Sequence, residues 1–348
     1  MTALLRFFSR TKLCFGSHAL AHLPFELSAM NGWKPFVLTD PPGKDARLHL
    51  DMARAFRNSD IPLGIAALSD DRPGACQEME DLYHLFVDKG YDCIMALGTG
   101  PLVQTAKLLN LTVCLGPEIL RSSAGPEQLD TPLLPMVFVP TRPSEGRETA
   151  TKVTLEGRTF ASEFLLPDLT VIAPDIMLGT PENQILDAGL TCLAVCGNAV
   201  AFSGNPLVRA HAATGIRLVR DALPYLVRHP DPDEIFCRKS RKNRCRPLAF
   251  LAHAAALSGI IRANTGDLTP RPSDNLSGRK AALALVKDLK ARKTLSPGLS
   301  HLLLLLTDPD RYAASPGSRR ADAAILAVET FIHDVSGTLE TEAPNGDA

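Results

Sequence analysis

Three short stretches carry residues able to do chemistry. In Cys93-Ile94-Met95-Ala96-Leu97-Gly98-Thr99-Gly100-Pro101-Leu102-Val103-Gln104-Thr105-Ala106-Lys107, an apolar run meets a Gly-x-Gly turn, and a proline suited to the first helical position follows. Glycines let backbone N–H groups come close to an anion, and a helix start adds unsatisfied donors and a positive dipole end, so this pattern suits a pyrophosphate. The same pattern also makes an ordinary tight turn. Phe36-Val37-Leu38-Thr39-Asp40 ends a β-rich run on a carboxylate. Such a group accepts hydrogen bonds from an adenosine ribose and repels a 2′-phosphate, or it is simply a polar loop residue. In the third stretch, Thr141, Arg142, Gly146 and Arg147 follow Pro140. The two arginines could hold an anion through forked hydrogen bonds, or pair with Glu145 and Glu148.

Metal or thiol chemistry has fewer candidates. Cys192 and Cys196 lie four residues apart, on one face of a helix, where they could hold a soft metal or fill a core. His253 in an alanine-rich segment and His211 read as core histidines. The eight cysteines form no CxxC pair, and a chain of 348 residues needs no disulfide framework, so reduced thiols are expected. The run from Arg238 to Arg246 has six basic residues in nine and reads as a solvated loop, with a phosphate or acidic partner as the other reading.

The surrounding pattern says what must position these groups. Strands are predicted at Pro35–Thr39, Pro62–Ala67, Asp92–Leu97, Leu111–Leu115 and Pro135–Pro140, with helices at Ala19–Asn31, Lys44–Asn58 and Ala75–Lys89. This alternation implies parallel strands with crossover helices. Thr149–Leu155 and Thr159–Leu165 read as a hairpin turned at Gly157. Beyond Pro174 the apolar spacing becomes helical, over Pro181–Phe202, Pro206–Leu226, Pro247–Asn264, Gly278–Arg292 and Ser318–Val335. The expected organisation is an α/β nucleotide-binding domain over residues 1–175, an all-helical domain over 176–337 and a polar tail over 338–348.

Composition limits the partners. With 37 Lys plus Arg against 38 Asp plus Glu, the net charge of −1 gives no broad footprint for nucleic acid or an anionic membrane. No apolar run approaches the roughly 20 residues of a bilayer span. The first residues lack the uninterrupted apolar stretch of a secretory signal, so a cytoplasmic location is expected. Any specific binding must come from a local site.

Taken together, these residues resemble the iron-dependent (group III) alcohol dehydrogenase family, whose fold is shared with dehydroquinate synthase. Ala96 to Lys107 is similar to the family segment A-L-G-G-G-S-x-x-D-x-A-K, and Pro140-Thr141 with Gly146 and Glu148 matches part of P-T-T-A-G-T-G-S-E, which lines the cofactor cleft. Gly189 and Leu193 fall where the metal-binding helix reads G-M-D-A-L-T-H, and Gly259, Asn264 and Gly266 resemble A-G-x-x-x-x-N-x-G. The resemblance implies a Rossmann-like α/β domain followed by an all-α domain, an NAD or NADP cofactor, a small-molecule ligand in the interdomain cleft and a homodimer. It places the cofactor on Asp40, Gly98, Thr99, Gly100, Gln104, Thr141, Arg142 and Gly146.

The departures bear on chemistry. Family members hold a divalent metal with one Asp and three His, and the metal polarises the oxygen at the carbon that gives or takes hydride. Here the Asp falls on Thr191 and the first His on Val195, and no His follows Gly266 before His301. The family iron or zinc is therefore expected to be absent. Thr99, Pro101 and Gln104 replace a glycine, a serine and an aspartate of the glycine-rich segment, and Arg142 and Arg147 bring bulk and charge to the space of the nicotinamide. Three readings follow: a divergent NAD(P)-dependent oxidoreductase, a non-catalytic nucleotide- or anion-binding member of the fold, and altered chemistry on an anionic substrate.

Overall fold

The computed structural model describes residues 5–40, 46–68, 76–98, 100–120, 132–144, 146, 149–155, 158–228 and 238–265. The chain divides into two compact units: Ser9–Gly179, and the chain from Thr180 together with the N-terminal residues up to Phe8.

The first unit is built on six parallel strands. These are β1 (Lys12–Phe15), β2 (Pro35–Thr39), β3 (Gly64–Ala67), β4 (Cys93–Gly98), β5 (Met136–Pro140) and β8 (Leu169–Ile172), in the order β1-β8-β5-β4-β2-β3. The antiparallel pair β6 (Lys152–Leu155) and β7 (Arg158–Ala161) forms the hairpin. Helices α1 (Leu23–Ala29), α2 (Ala46–Phe56), α3 (Cys76–Lys89) and α4 (Gly100–Leu115) connect the strands. Every residue of β2, β4 and β5 is buried, which explains their unbroken apolar runs, as expected of central parallel strands covered on both faces. On one face Val37, Met95, Leu97, Val137 and Val139 pack with Leu23, Leu27, Leu48, Met52 and Phe56 of α1 and α2. On the other, Phe36, Leu38, Ile94, Ala96 and Phe138 pack with Met79, Leu82, Phe86, Val103 and Leu109 of α3 and α4 and with Val153 and Phe160 of the hairpin.

The structure departs from the sequence expectations at four places. Leu111–Leu115 is the last part of α4 and not a strand. A short apolar run is ambiguous between buried strand and buried helix, and α4 is buried on nearly every side from Leu102 to Thr112. Residues 163–165, expected to end a strand, form a single 3-10 turn capped by Ser162. Strands β1 and β8, of four residues each, were missing from the alternation.

The fourth departure lies in the second unit, where α5 (Glu182–Phe202), α6 (Pro206–Arg228) and α7 (Arg238–Thr265) pack together. The basic run from Arg238 to Arg246 is the start of α7, not a loop. Arginine and lysine are good helix formers, and winding them into a helix lets one side turn inward: Arg244 is buried and donates to the Thr180 carbonyl at 3.4 Å, while Asn243 and Arg246 stay exposed. Arg246 lies over the Phe250 ring, one turn on. The helices expected at Gly278–Arg292 and Ser318–Val335 lie outside the described residues.

Candidate functional site

In an open parallel sheet, ligands bind outside the carboxyl ends of the strands, where the strand order reverses. From β2 the chain goes outward to β3, then returns past β2 to β4 and continues to β5. The reversal therefore falls between β2 and β4, with α1 and α2 on one face and α3 and α4 on the other.

Asp40, Gly98 and Thr141 converge at that place. Asp40 directly follows β2, Gly98 ends β4, and Thr141 directly follows β5. Register puts Thr39 beside Leu97 and Gly98 beside Pro140, and the Thr141 N–H donates to the Gly98 carbonyl at 3.0 Å. A Cβ on Gly98 would lie 2.6 Å from Leu102 Cδ2 and 2.8 Å from Asp40 Oδ2. A side chain there would have to push the ends of Leu102 and Asp40 aside, and the Asp40 carboxylate lies against the backbone of Gly98. Gly100 is the first residue of α4 and half-buried Gln104 sits in its first turns. Thr99, Glu145, Arg147 and Glu148 lie outside the described residues.

Thr141 supplies a second polar feature. Its side chain is 4% exposed, and its hydroxyl has no hydrogen-bond partner among the described residues. Leaving a buried hydroxyl unpaired costs about 1–3 kcal/mol. Arg142 follows, half-buried, and the buried Gly146 takes φ +81°, a left-handed conformation that favours glycine. The Gly146 N–H donates to Ser144 Oγ at 3.1 Å, closing a tight turn.

Sequence reasoning passed over Lys107 beyond its place in the glycine-rich segment. It is wholly buried on α4, and its Nζ donates to the Ala150 carbonyl at 2.6 Å. One turn on, Asn110 Nδ2 donates to the Leu134 carbonyl at 2.8 Å and Asn110 Oδ1 accepts from the Leu134 N–H at 3.0 Å. The available signal was a lysine and an asparagine at i, i+3 in an otherwise apolar helix.

On α5, Thr191 and Val195 are both buried, and the Thr191 hydroxyl has no partner among the described residues. A valine offers no ligand, and a neutral hydroxyl is a poor one for iron. Cys192 and Cys196 have sulfurs 3.8 Å apart, and the Cys192 thiol donates to the Ala254 carbonyl at 3.1 Å. Their hydrogen bond and their burial push the Cys192 thiol well above its ordinary range, away from the thiolate that a metal needs. Among the described residues no group of three or more His, Cys, Asp or Glu could hold a metal ion. Thr191 and Val195 therefore do not supply the two ligands that the family resemblance expects on α5, and the other expected positions lie outside the described residues. His211 and His253 lie near each other in the helical unit, where His211 Nδ1 meets the Leu207 carbonyl at 2.7 Å. No described helix is long and apolar enough to cross a membrane.

A parallel α/β unit followed by packed helices is the fold shared by the solved alcohol dehydrogenases that this chain resembles. Residues 10–174 match the model of the iron-containing alcohol dehydrogenases, just under half of the chain. A maleylacetate reductase from Burkholderia cepacia is 26% identical over 229 residues, covering 63% of this chain and 56% of that enzyme, under two thirds of its length. Among solved structures, an alcohol dehydrogenase from Oenococcus oeni aligns with a TM-score of 0.68 at 18% identity, over 95% of this chain and 87% of its own. Sulfoacetaldehyde reductase from Bifidobacterium kashiwanohense, solved with NAD+, aligns with a TM-score of 0.66 at 16% identity, over 95% and 86%.

Proposed function

We propose that the chain is an NAD-dependent oxidoreductase interconverting a carbonyl compound and its alcohol, working without the family's iron. The observation that carries the nucleotide site is the buried Thr141 hydroxyl beside Gly98, at the reversal of the sheet, which has no partner among the described residues. A ligand hydrogen bond there would satisfy a group that folding leaves unpaired. The bound dinucleotide supplies hydride; this chain's residues bind and orient it. The start of α4 at Gly98 and Gly100 receives the pyrophosphate through backbone N–H groups. Strand order then sets the direction: β2 lies on one side of β4 and β5 on the other, so Asp40 meets the adenosine half and Thr141, Arg142 and Gly146 meet the nicotinamide half. The Asp40 carboxylate favours a ribose hydroxyl and opposes a 2′-phosphate, which selects NADH over NADPH.

Thr191 and Val195 support a reading in which this chain's metal site is degenerate, so a protein donor must polarise the substrate oxygen. We assign that role to Arg142 in the loop after β5, whose guanidinium also suits a substrate with a carboxylate. The maleylacetate reductase relative, named for such an anionic substrate, agrees with this choice. The same two α5 positions favour the second reading, a member of the fold that binds nucleotide without turnover.

Titration of the purified protein with NADH and NADPH, followed by nicotinamide fluorescence, tests the site. We expect NADH to bind more tightly than NADPH, and Thr141→Val to weaken NADH about tenfold while raising stability by about 1 kcal/mol. Failure of both nucleotides to bind at millimolar concentration would remove the dehydrogenase reading. Binding with no turnover on a panel of alcohols, aldehydes and oxo acids would establish the second.

A further inference from the structure

We propose that Lys107 is a positioning residue, a buried clamp that fixes the loop after β5 against the nucleotide helix. This inference rests on the nucleotide reading above. Lysine is almost never fully buried without a partner, yet Lys107 has no exposed surface and is among the largest wholly buried side chains of the molecule. Its ammonium donates to a main-chain carbonyl at Ala150, 43 residues along, just before β6. Asn110, on the same side of α4, grips both polar groups of Leu134 just before β5. The two side chains therefore take hold of the chain upstream and downstream of one excursion: β5, Thr141, Arg142, and the turn closed by Ser144 and Gly146. The helix whose first residue is Gly100 is thereby tied to the loop carrying the nicotinamide-side groups.

Burial gives this tie its strength and its specificity. A charged donor to a carbonyl is stronger in a dry interior than at the surface, and Lys107 is wholly buried on a helix whose Val103, Ala106 and Leu111 belong to the apolar core. The loop itself holds polar groups that fold locally, such as the Thr149 hydroxyl donating to the Gly146 carbonyl at 3.5 Å. Lys107 thus sets where the loop stands while the local bonds set its shape.

The test compares two ligands on Lys107→Met, which removes the ammonium and keeps the stem. ADP-ribose reaches Asp40 and the pyrophosphate site but lacks nicotinamide; NADH reaches both halves. If Lys107 places the loop, NADH binds about tenfold more weakly to the variant, while ADP-ribose affinity stays within about twofold. An equal loss for both ligands, or no loss for either, overturns the clamp. Should Lys107→Met not fold, amide hydrogen exchange on the wild-type chain decides. Amides at 149–152 protected as well as those of β5 support the clamp, and exchange at the rate of an unstructured peptide overturns it. If wild type binds neither NADH nor ADP-ribose, the nucleotide reading fails, and the exchange result still judges the clamp.

Discussion

At the scale of single residues, the described site is marked by polar groups held out of water without partners. Thr141 and Thr191 share this property, but their surroundings assign them different histories. Thr141 stands at the end of a strand where ligands bind in such sheets, so the proposed nucleotide site gives its hydroxyl a partner. Thr191 stands inside α5, where the family resemblance expects a metal ligand, and its hydroxyl has no partner among the described residues. Thr191→Val keeps the shape and removes the unpaired oxygen. It should raise stability by about 1 kcal/mol, read by chemical denaturation, and leave NADH affinity unchanged. A destabilised variant would show that this hydroxyl has a use. The same two positions show how far chemistry is legible in residue types. Val195 is legible at once, because a valine cannot coordinate a metal where the resemblance expects a histidine. The unpaired state of Thr141 depends on packing from three strands and could be seen only in three dimensions.

At the scale of elements, legibility followed burial. Strands β2, β4 and β5 were evident because central parallel strands must be apolar along their whole length, and their carboxyl ends gave Asp40, Gly98 and Thr141 together. The edge strand β1 and β8 were not: β1 is a partly exposed stretch of four residues, and β8 is four residues set between Pro167-Asp168 and Ala173-Pro174. The start of α7 was misread because charge was taken for solvation, when a helix distributes charge around its axis and lets Arg244 face inward. One element depends on another through a single amide. Asn264, near the end of α7, accepts from the Phe8 N–H and donates to the Phe8 carbonyl, both at 2.7 Å, as a neighbouring strand would. Asn205 adds a bond to the Arg6 carbonyl at 2.9 Å. Asn264→Asp keeps the acceptor and replaces the donor by a carboxylate facing a carbonyl oxygen. We expect a loss of about 1–3 kcal/mol, measured by thermal denaturation, together with faster cleavage of the N-terminal segment by protease.

At the scale of the whole molecule, stability should depend on acid through the helical unit. Burial, and then the nearby His211, lower the pKa of His253 below its ordinary 6.5. The folded state therefore prefers the neutral ring, and the unfolded chain takes up the proton first. This contribution is complete above pH 6.5 and declines as pH falls below it. Denaturation midpoints measured from pH 7.5 down to about 5 should fall, and His253→Gln should flatten that part of the curve. An unchanged slope in the variant would assign the acid sensitivity to other groups. The clasp on Phe8 has a topological consequence. Because residues up to Phe8 join the helical unit and Ser9–Gly179 forms the other, the α/β unit is a guest inserted into a host, entered at one peptide link and left at another. During synthesis the host's first piece emerges, then waits through the entire guest before α7 provides its dock. A single break at either link would leave the two units still joined by the chain at the other.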